Sequence, residues 1–388
     1  MTEWKEYKLG EICTKITSGG TPKTSEASYY DGNIPWLNTK EVNFNRIEKT
    51  EKYITEEGYN NSSAKWIPKG SVIIAMYGAT AAKVAYSLID LTTNQACCNL
   101  IIDNDIADSQ FVYYYIQSSY EELLNLACGA AQQNLNVGVI ANFQILLPPL
   151  EKQIRIASIL SSLDDKIDLL HRENKTLEAM AETLFKELVV NENNDGTLEN
   201  IISIQNGYAF KSKDFKETGE HQIIKIKNIS SGIIDIDSTD CVDSDVIVDV
   251  STKFKVNSGD VLIAMTGAEI GKLGVIPKND KSLWLNQRVG LLVEKYKGAK
   301  YLAYLQLKSE YGQDYIENTA TGSAQPNISG TGIEQCGFPI LDEEIIIQIS
   351  KQIGEFYDKI ILNLGQINKV KEIRDCLLNK LFIKQTVS

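Results

Sequence analysis

GSVIIAMYGATAAKVA, residues 70–85, and GDVLIAMTGAEIGKLG, residues 259–274, decide how this chain is organised. They align without gaps and agree at eight of 16 positions. Further matches follow in the same order. Asn94-Gln95 corresponds to Asn286-Gln287, and GAAQQN (129–134) to GSAQPN (322–327). Self-similarity kept in register over this distance means one folding unit built twice. Within each copy, short β-branched runs such as SVIIAMY (71–77) and VLIAMT (261–266) are bounded by glycine turns and predict strands. Each copy then offers a helical stretch, FVYYYIQSSYEELLNLA (111–127) and YLAYLQLKSEYGQDYIEN (301–318). This mixture predicts an α+β fold.

Each copy closes on a different kind of segment. After the prolines of LLPPL (146–150), the residues Ile156, Leu160, Leu163, Ile167, Leu170, Asn174, Leu177, Ala181, Leu184 and Leu188 step alternately by four and three. That spacing is the seam of a coiled coil. The second copy repeats it through Ile349, Ile353, Phe356, Ile360, Asn363, Ile367, Val370, Arg374, Leu377 and Leu381. Some 35 residues of helix make a rod of roughly 50 Å. Two such rods in one chain most simply pair with each other, and Asn174 in the seam then fixes the register. The alternative is two amphipathic helices lying on separate cores. The expected layout is a globular domain over 1–150, a helix over 151–190, a second domain over 191–340 and a closing helix over 341–388, with NENNDGT (191–197) as linker.

Composition removes several functions. The 388 residues are 23% charged and 43% hydrophobic, with no apolar run long enough to span a membrane. The N-terminal MTEWKEYKLG lacks the apolar centre of a secretory signal. Seven cysteines without a C-x-x-C pair fit reduced thiols and a cytoplasmic location. Two histidines, His171 and His221, supply neither a zinc site nor a triad. GAEIGK (267–272) falls one residue short of a Walker loop and duplicates GATAAK (78–83), so a shared structural turn explains it better. No nucleophile, base and orienter come together, and no catalytic or metal-binding residue is assigned.

A duplicated domain on a rigid spacer suits the measurement of distance along a repeating partner. Major grooves on one face of DNA recur about every 34 Å. The two copies differ in their openings, SGGTPKTSEASYYDGNIPW (18–36) against NGYAFKSKDF (206–215), as two readers of unlike half-sites would.

These residues resemble the specificity subunits of type I restriction-modification enzymes over almost the whole chain. The first opening is similar to the GGTP…IPW form of a target recognition domain, here Gly19-Gly20-Thr21-Pro22 and Ile34-Pro35-Trp36. The second is similar to the NGYAFKSxxF form. PPLEKQIRIASILSSLDDKIDLLHRENKTLEAMAETLFKEL (148–188) resembles the central conserved helix, and the C-terminal helix is a degenerate version with PILDEE for PPLEEQ. The family's G-A-T-x-G-K-V turn stands here with Ala82 in the first copy and Glu269 in the second. The resemblance implies two recognition domains separated by two long helices in an antiparallel coiled coil, related by a pseudo-two-fold repeat. It implies double-stranded DNA as ligand, two methyltransferase subunits and restriction-translocase subunits as partners, and no membrane. S-adenosylmethionine, ATP and magnesium would belong to those partners, and this chain would hold no cofactor.

Base readout needs donors and acceptors on exposed turns. The candidates are Lys23, Thr24, Thr39, Lys40, Tyr77, Thr80 and Gln132 in the first domain. In the second they are Lys211, Lys213, Lys227, Asn228, Thr266 and Arg288. The repeated Asn94-Gln95 and Asn286-Gln287, with Asn134 and Asn327, are better scaffold or phosphate contacts, because readers of different bases should not share them. Spacer residues are Leu160, Leu163, Ile167, Leu170, Asn174, Leu177 and Leu184, facing Ile353, Phe356, Ile360, Ile367 and Leu377. Charge runs the other way from a stand-alone DNA binder. Residues 1–150 carry 11 basic and 16 acidic side chains, residues 191–340 carry 15 and 20, and the whole chain is at −12. Two further readings stay open: a scaffold gripping two copies of a partner protein, and a cryptic nuclease or methyltransferase.

Overall fold

The computed structural model describes residues 4–128, 134–189, 193–230, 232–322 and 326–382. It divides into two compact units, one running through Asp165 and taking in the segment from Lys371, the other spanning Lys166–Val370. The division falls inside both long helices, so each unit owns a piece of each.

The first unit holds a five-stranded sheet in the order Cys13–Ser18, Cys97–Ile102, Val72–Ala75, Val84–Ser87, Asn45–Ile47. A four-stranded sheet follows the order Lys52–Ile54, Tyr30–Leu37, Leu91–Thr93, Trp66–Ile67. The second unit repeats both. Its larger sheet runs Ile202–Asn206, Val289–Glu294, Val261–Ala264, Leu273–Val275, Gly232–Ile234, with Ile229–Ser230 added at the edge. Its smaller sheet runs Asp240–Val242, His221–Ile224, Leu283–Leu285, Lys255–Val256. Even the parallel pairings recur, Tyr30–Leu37 on Leu91–Thr93 matching His221–Ile224 on Leu283–Leu285. The repeat legible in the sequence is thus a repeat of topology. The central strands Val72–Ala75 and Val261–Ala264 are buried on both faces, as their unbroken apolar runs require.

The expected helical stretches each break in the middle. Ser109–Ser118 and Tyr120–Cys128 meet at Ser119, and Ala299–Lys308 and Glu310–Thr319 meet at Ser309. Ser309 leaves helical geometry and its side chain accepts from the Gly312 N–H, capping the second piece. Periodicity alone does not register such a bend.

Leu150–Val189 and Glu343–Phe382 are single helices of 40 residues each. The first starts where Pro148 and Pro149 stop the preceding strand, and Pro149 O accepts its first bond from Lys152 N at 2.8 Å. The helices pair antiparallel along the predicted seam. Leu160, Ile167, Leu170, Ile353, Ile360 and Ile367 are buried, while Leu163, Leu177, Leu184, Phe356 and Leu377 are half-buried. Each fully buried aliphatic side chain contributes about 1.5–3 kcal/mol. In the second unit Asn363 Nδ2 donates to Asn174 Oδ1 at 2.8 Å, so the two polar interruptions of the seam meet each other. In the first unit Arg374 Nη1 donates to Asp164 Oδ1 at 2.8 Å.

Candidate nucleic-acid interface

In the first unit the structure gathers four of the candidates on adjoining loops. Asn38 caps a 3-10 turn, Thr39–Glu41, by accepting from Lys40 N, and Glu41 returns a bond to Asn38 N. Thr80 Oγ1 then donates to Thr39 O at 2.9 Å, tying that turn to the glycine turn after Val72–Ala75. Tyr77, half-buried, donates to Gln95 O at 3.4 Å. Lys40 is exposed beside them. Thr80 and Tyr77 each give their hydroxyl hydrogen to a neighbouring loop and keep acceptor capacity, and Lys40 is the exposed cation of this cluster.

Lys23 and Thr24 sit on a separate, exposed loop. Trp36 Nε1 donates to Gly20 O at 2.9 Å and Tyr30 OH to Pro22 O at 2.7 Å, which anchors the GGTP segment. Its glycines are obligatory, because a Cβ on Gly19 would lie 2.1 Å from Thr93 O. A Cβ on Gly207 would meet Asn286 O at the same 2.1 Å, so both unlike openings press a glycine against the same turn. Lys23 is paired with Glu26 at 3.0 Å. Gln132 lies outside the described residues.

In the second unit Lys211 and Lys213 flank Ser212 on an exposed 3-10 turn. Thr266 and Arg288 come together on neighbouring strand ends, where Met265 N donates to Arg288 O, and Arg288 is exposed. Thr266 is only 9% exposed. Lys227 is exposed but bound, with Lys225, to one carboxylate: Asp240 lies 2.8 Å from Lys225 and 3.0 Å from Lys227. Hydrogen bonds from Lys225 and then Lys227, against a smaller cost of burial, hold the Asp240 carboxyl below its ordinary range. Asn228 departs from expectation. It is fully buried, its Oδ1 accepting from Lys225 N and its Nδ2 donating to Ser238 O, so it closes a loop and faces no ligand. A side chain's polarity says nothing about the direction in which it points.

The repeated Asn94 is a turn-former, its Oδ1 accepting from Ala96 N and Cys97 Sγ. The acidic run from Asp235 is partly spent on lysines, through Asp237 to Lys281 and Asp243 to Lys216. Among the described residues no group of three or more His, Cys, Asp or Glu is placed to hold a metal ion. Burial pushes the thiols of Cys13, Cys98 and Cys336 up to about 12, far from nucleophilic range. No described helix is long and apolar enough to cross a membrane.

Sequence reading missed one polar centre. Asp164 is 6% exposed and accepts from Tyr114 OH at 2.6 Å as well as from Arg374. Next to it Arg46 reaches Asp165 at 2.7 Å. The signal that was available is Arg374 itself, a cation in a seam position.

Comparison with known proteins agrees with this architecture. The profile of the type I restriction modification DNA specificity domain matches twice, over residues 1–179 and 191–372. The MjaIX specificity subunit of Methanocaldococcus jannaschii is 25% identical over 98% of this chain and 95% of its own length. The EcoR124I/EcoR124II specificity subunit of Escherichia coli is 32% identical over 42% of this chain and 41% of its own. In structure, the S subunit of a type I restriction-modification system from M. genitalium superposes with a TM-score of 0.62 at 16% identity, covering 98% of this chain and 96% of that one. Two matched domains, each on the same pair of sheets and each followed by a seam helix, make this chain a member of the type I restriction-modification DNA specificity family.

Proposed function

We propose that the chain is the DNA-reading subunit of a type I restriction-modification complex, and that it does no chemistry itself. Each recognition domain reads one half of a split, asymmetric site, and we assign the gap between the halves to the length of the helix pair. Methyltransferase subunits, two per chain, would bring S-adenosylmethionine to adenine, and restriction-translocase subunits would bring ATP and magnesium, in the cytoplasm.

The observation that carries this reading is one scaffold built twice with different residues at its loop ends. The Thr39–Lys40–Tyr77–Thr80 cluster of the first unit has Thr266 and Arg288 beside the equivalent turn of the second. Shared positions such as Asn94 build turns, and Lys40 has its counterpart in Lys227 on the equivalent turn, whereas Lys213 and Arg288 are exposed and unshared. Direct readout of two different half-sites requires that division of labour. The acidic surface favours low intrinsic affinity, with partner subunits clamping the duplex.

The test is single-molecule methylome sequencing of a host that carries the cognate methyltransferase subunit, with and without this chain. Adenine methylation at a split motif, present only with the chain, is expected and yields both half-sites together. An intact complex that methylates nothing, and binds DNA without sequence preference, would instead support a protein scaffold.

A further inference from the structure

A cavity of about 190 Å³ lies within the second unit, between the helix pair and the recognition domain. Ile233, Val275, Ile360 and Leu364 give it apolar walls, and Tyr304 and Tyr357 add aromatic ones. Two buried polar atoms on its lining residues have no hydrogen-bond partner among the described residues: the Tyr357 hydroxyl and Asn174 Nδ2. Tyr357 is only 2% exposed, and its ring is fixed by stacking on Tyr301 at 4.4 Å and by an edge contact with Tyr304 at 5.6 Å. Burying a hydroxyl and an amide N–H without partners is unfavourable, so a native cavity that keeps both is shaped for something that meets them.

The repeat explains how the space arises. Val275 stands where the first unit has Tyr86, and Ile233 where it has Arg46. There Tyr86 is buried and bonds Ser109 at 3.1 Å, and Arg46 reaches Asp165. Replacing a phenol and a guanidinium by two aliphatic side chains removes roughly one aromatic ring from the second unit.

We propose that this cavity is a binding site for a small neutral molecule of single-ring size that carries a hydroxyl group. A cavity of about 150 Å³ accommodates benzene, which sets the size. His171, Lys175 and Glu178 also line the cavity, with Glu178 paired to Lys308, and a neutral occupant leaves that pairing undisturbed among the aliphatic and aromatic walls. Asn174 Nδ2 can only donate and so requires an acceptor oxygen, while the Tyr357 hydroxyl can give or take. Asn174 Oδ1 already accepts from Asn363, so the occupant bonds the same amide that links the two helices.

The experiment uses the full chain, free of DNA and partners, so its outcome is independent of the DNA-reading proposal. Phenol is titrated by calorimetry and melting temperature, with toluene, the same ring without the hydroxyl, alongside. Saturable binding of one phenol per chain is expected, with a rise in melting temperature, a shifted Asn174 side-chain amide resonance and weaker binding of toluene. Tyr357→Phe should weaken phenol binding about tenfold, the loss of one hydrogen bond. Val275→Tyr, which restores the ring present at Tyr86, should abolish it. Absence of phenol binding to the folded chain, equal binding of toluene, or unchanged affinity in Tyr357→Phe would each overturn the proposal. Should Val275→Tyr fail to fold, the smaller Tyr357→Phe change decides alone.

Discussion

Tyr114 and Tyr304 occupy the same place in the two units, on equivalent helices that face the long helices, yet they are held by opposite means. In the first unit Tyr114 donates to Asp164, and Asp164 is neutralised by Arg374. In the second, the position of Asp164 is taken by Tyr357, that of Arg374 by Ala181, and the contact is ring against ring. One junction is a buried charge network and the other a tyrosine cluster, within the same backbone topology. A duplicated fold therefore constrains where two elements meet and leaves open the chemistry that joins them. It also sets the cost of error. A half-satisfied ion pair is expensive, whereas an aromatic contact degrades gradually.

The largest expected effect comes from breaking the charged junction. Arg374→Leu leaves Asp164 buried without its cation and should cost about 3 kcal/mol, read from urea denaturation. A loss below about 1 kcal/mol would mean that the network is solvated and the contrast false. Next come paired substitutions at the equivalent tyrosines. Tyr114→Phe removes a hydrogen bond to a carboxylate and should cost about 1.5–2 kcal/mol, while Tyr304→Phe should stay within about 0.5 kcal/mol. Burial, with the Asp164 carboxylate next, pushes the Tyr114 phenol well above its ordinary value, so this donor persists into strong alkali.

The glycine turns give a smaller contrast. Gly271 has φ +82° and Ala82, its counterpart, φ +64°. Gly271→Ala should therefore destabilise by about 1 kcal/mol, and more if Gln313 and Ile316, within 3.3 Å of the new Cβ, fail to yield. Ala82→Gly should be nearly neutral, relief of backbone strain offsetting the lost burial of a methyl group. Thermal unfolding of both variants measures this. The smallest effect concerns charge reversal at matching strands, Lys52 in the first unit and Asp240 in the second. Because the folded carboxyl of Asp240 sits below its unfolded value, its contribution is complete above about pH 4 and fades as pH falls through the depressed value. Carbon-13 titration of that carboxyl should show the low midpoint, and Lys225→Met should raise it.

The repeat and the seam were legible because they are periodic, and periodicity survives in a bare sequence. Asn174 and Asn363 were visible as interruptions of a pattern, and the structure pairs them. Arg374 was visible in the same way, but its partner Asp164 lies one position beyond the seam residue Leu163 and 210 residues away, where no pattern points to it. Candidate readers were harder still. Thr80 and Asn228 carry the right chemistry, but turn it inward to Thr39 and Ser238. Side-chain direction depends on loop geometry that composition does not encode, so exposed Lys40 and buried Asn228 look alike in a list of polar loop residues.

The segment from Lys371 belongs to the first unit, where Phe382 packs against Phe111 at 5.3 Å and Tyr115 at 5.6 Å. On a ribosome adding about 5–20 residues per second, the 210 residues between Asp164 and Arg374 take roughly 10–40 s to synthesise. Throughout that interval the first recognition unit waits with an open aromatic face and an unneutralised carboxylate. The first domain to emerge is thus finished only after the second has been made, and a chaperone, or the same segment of another nascent chain, has time to reach that face first.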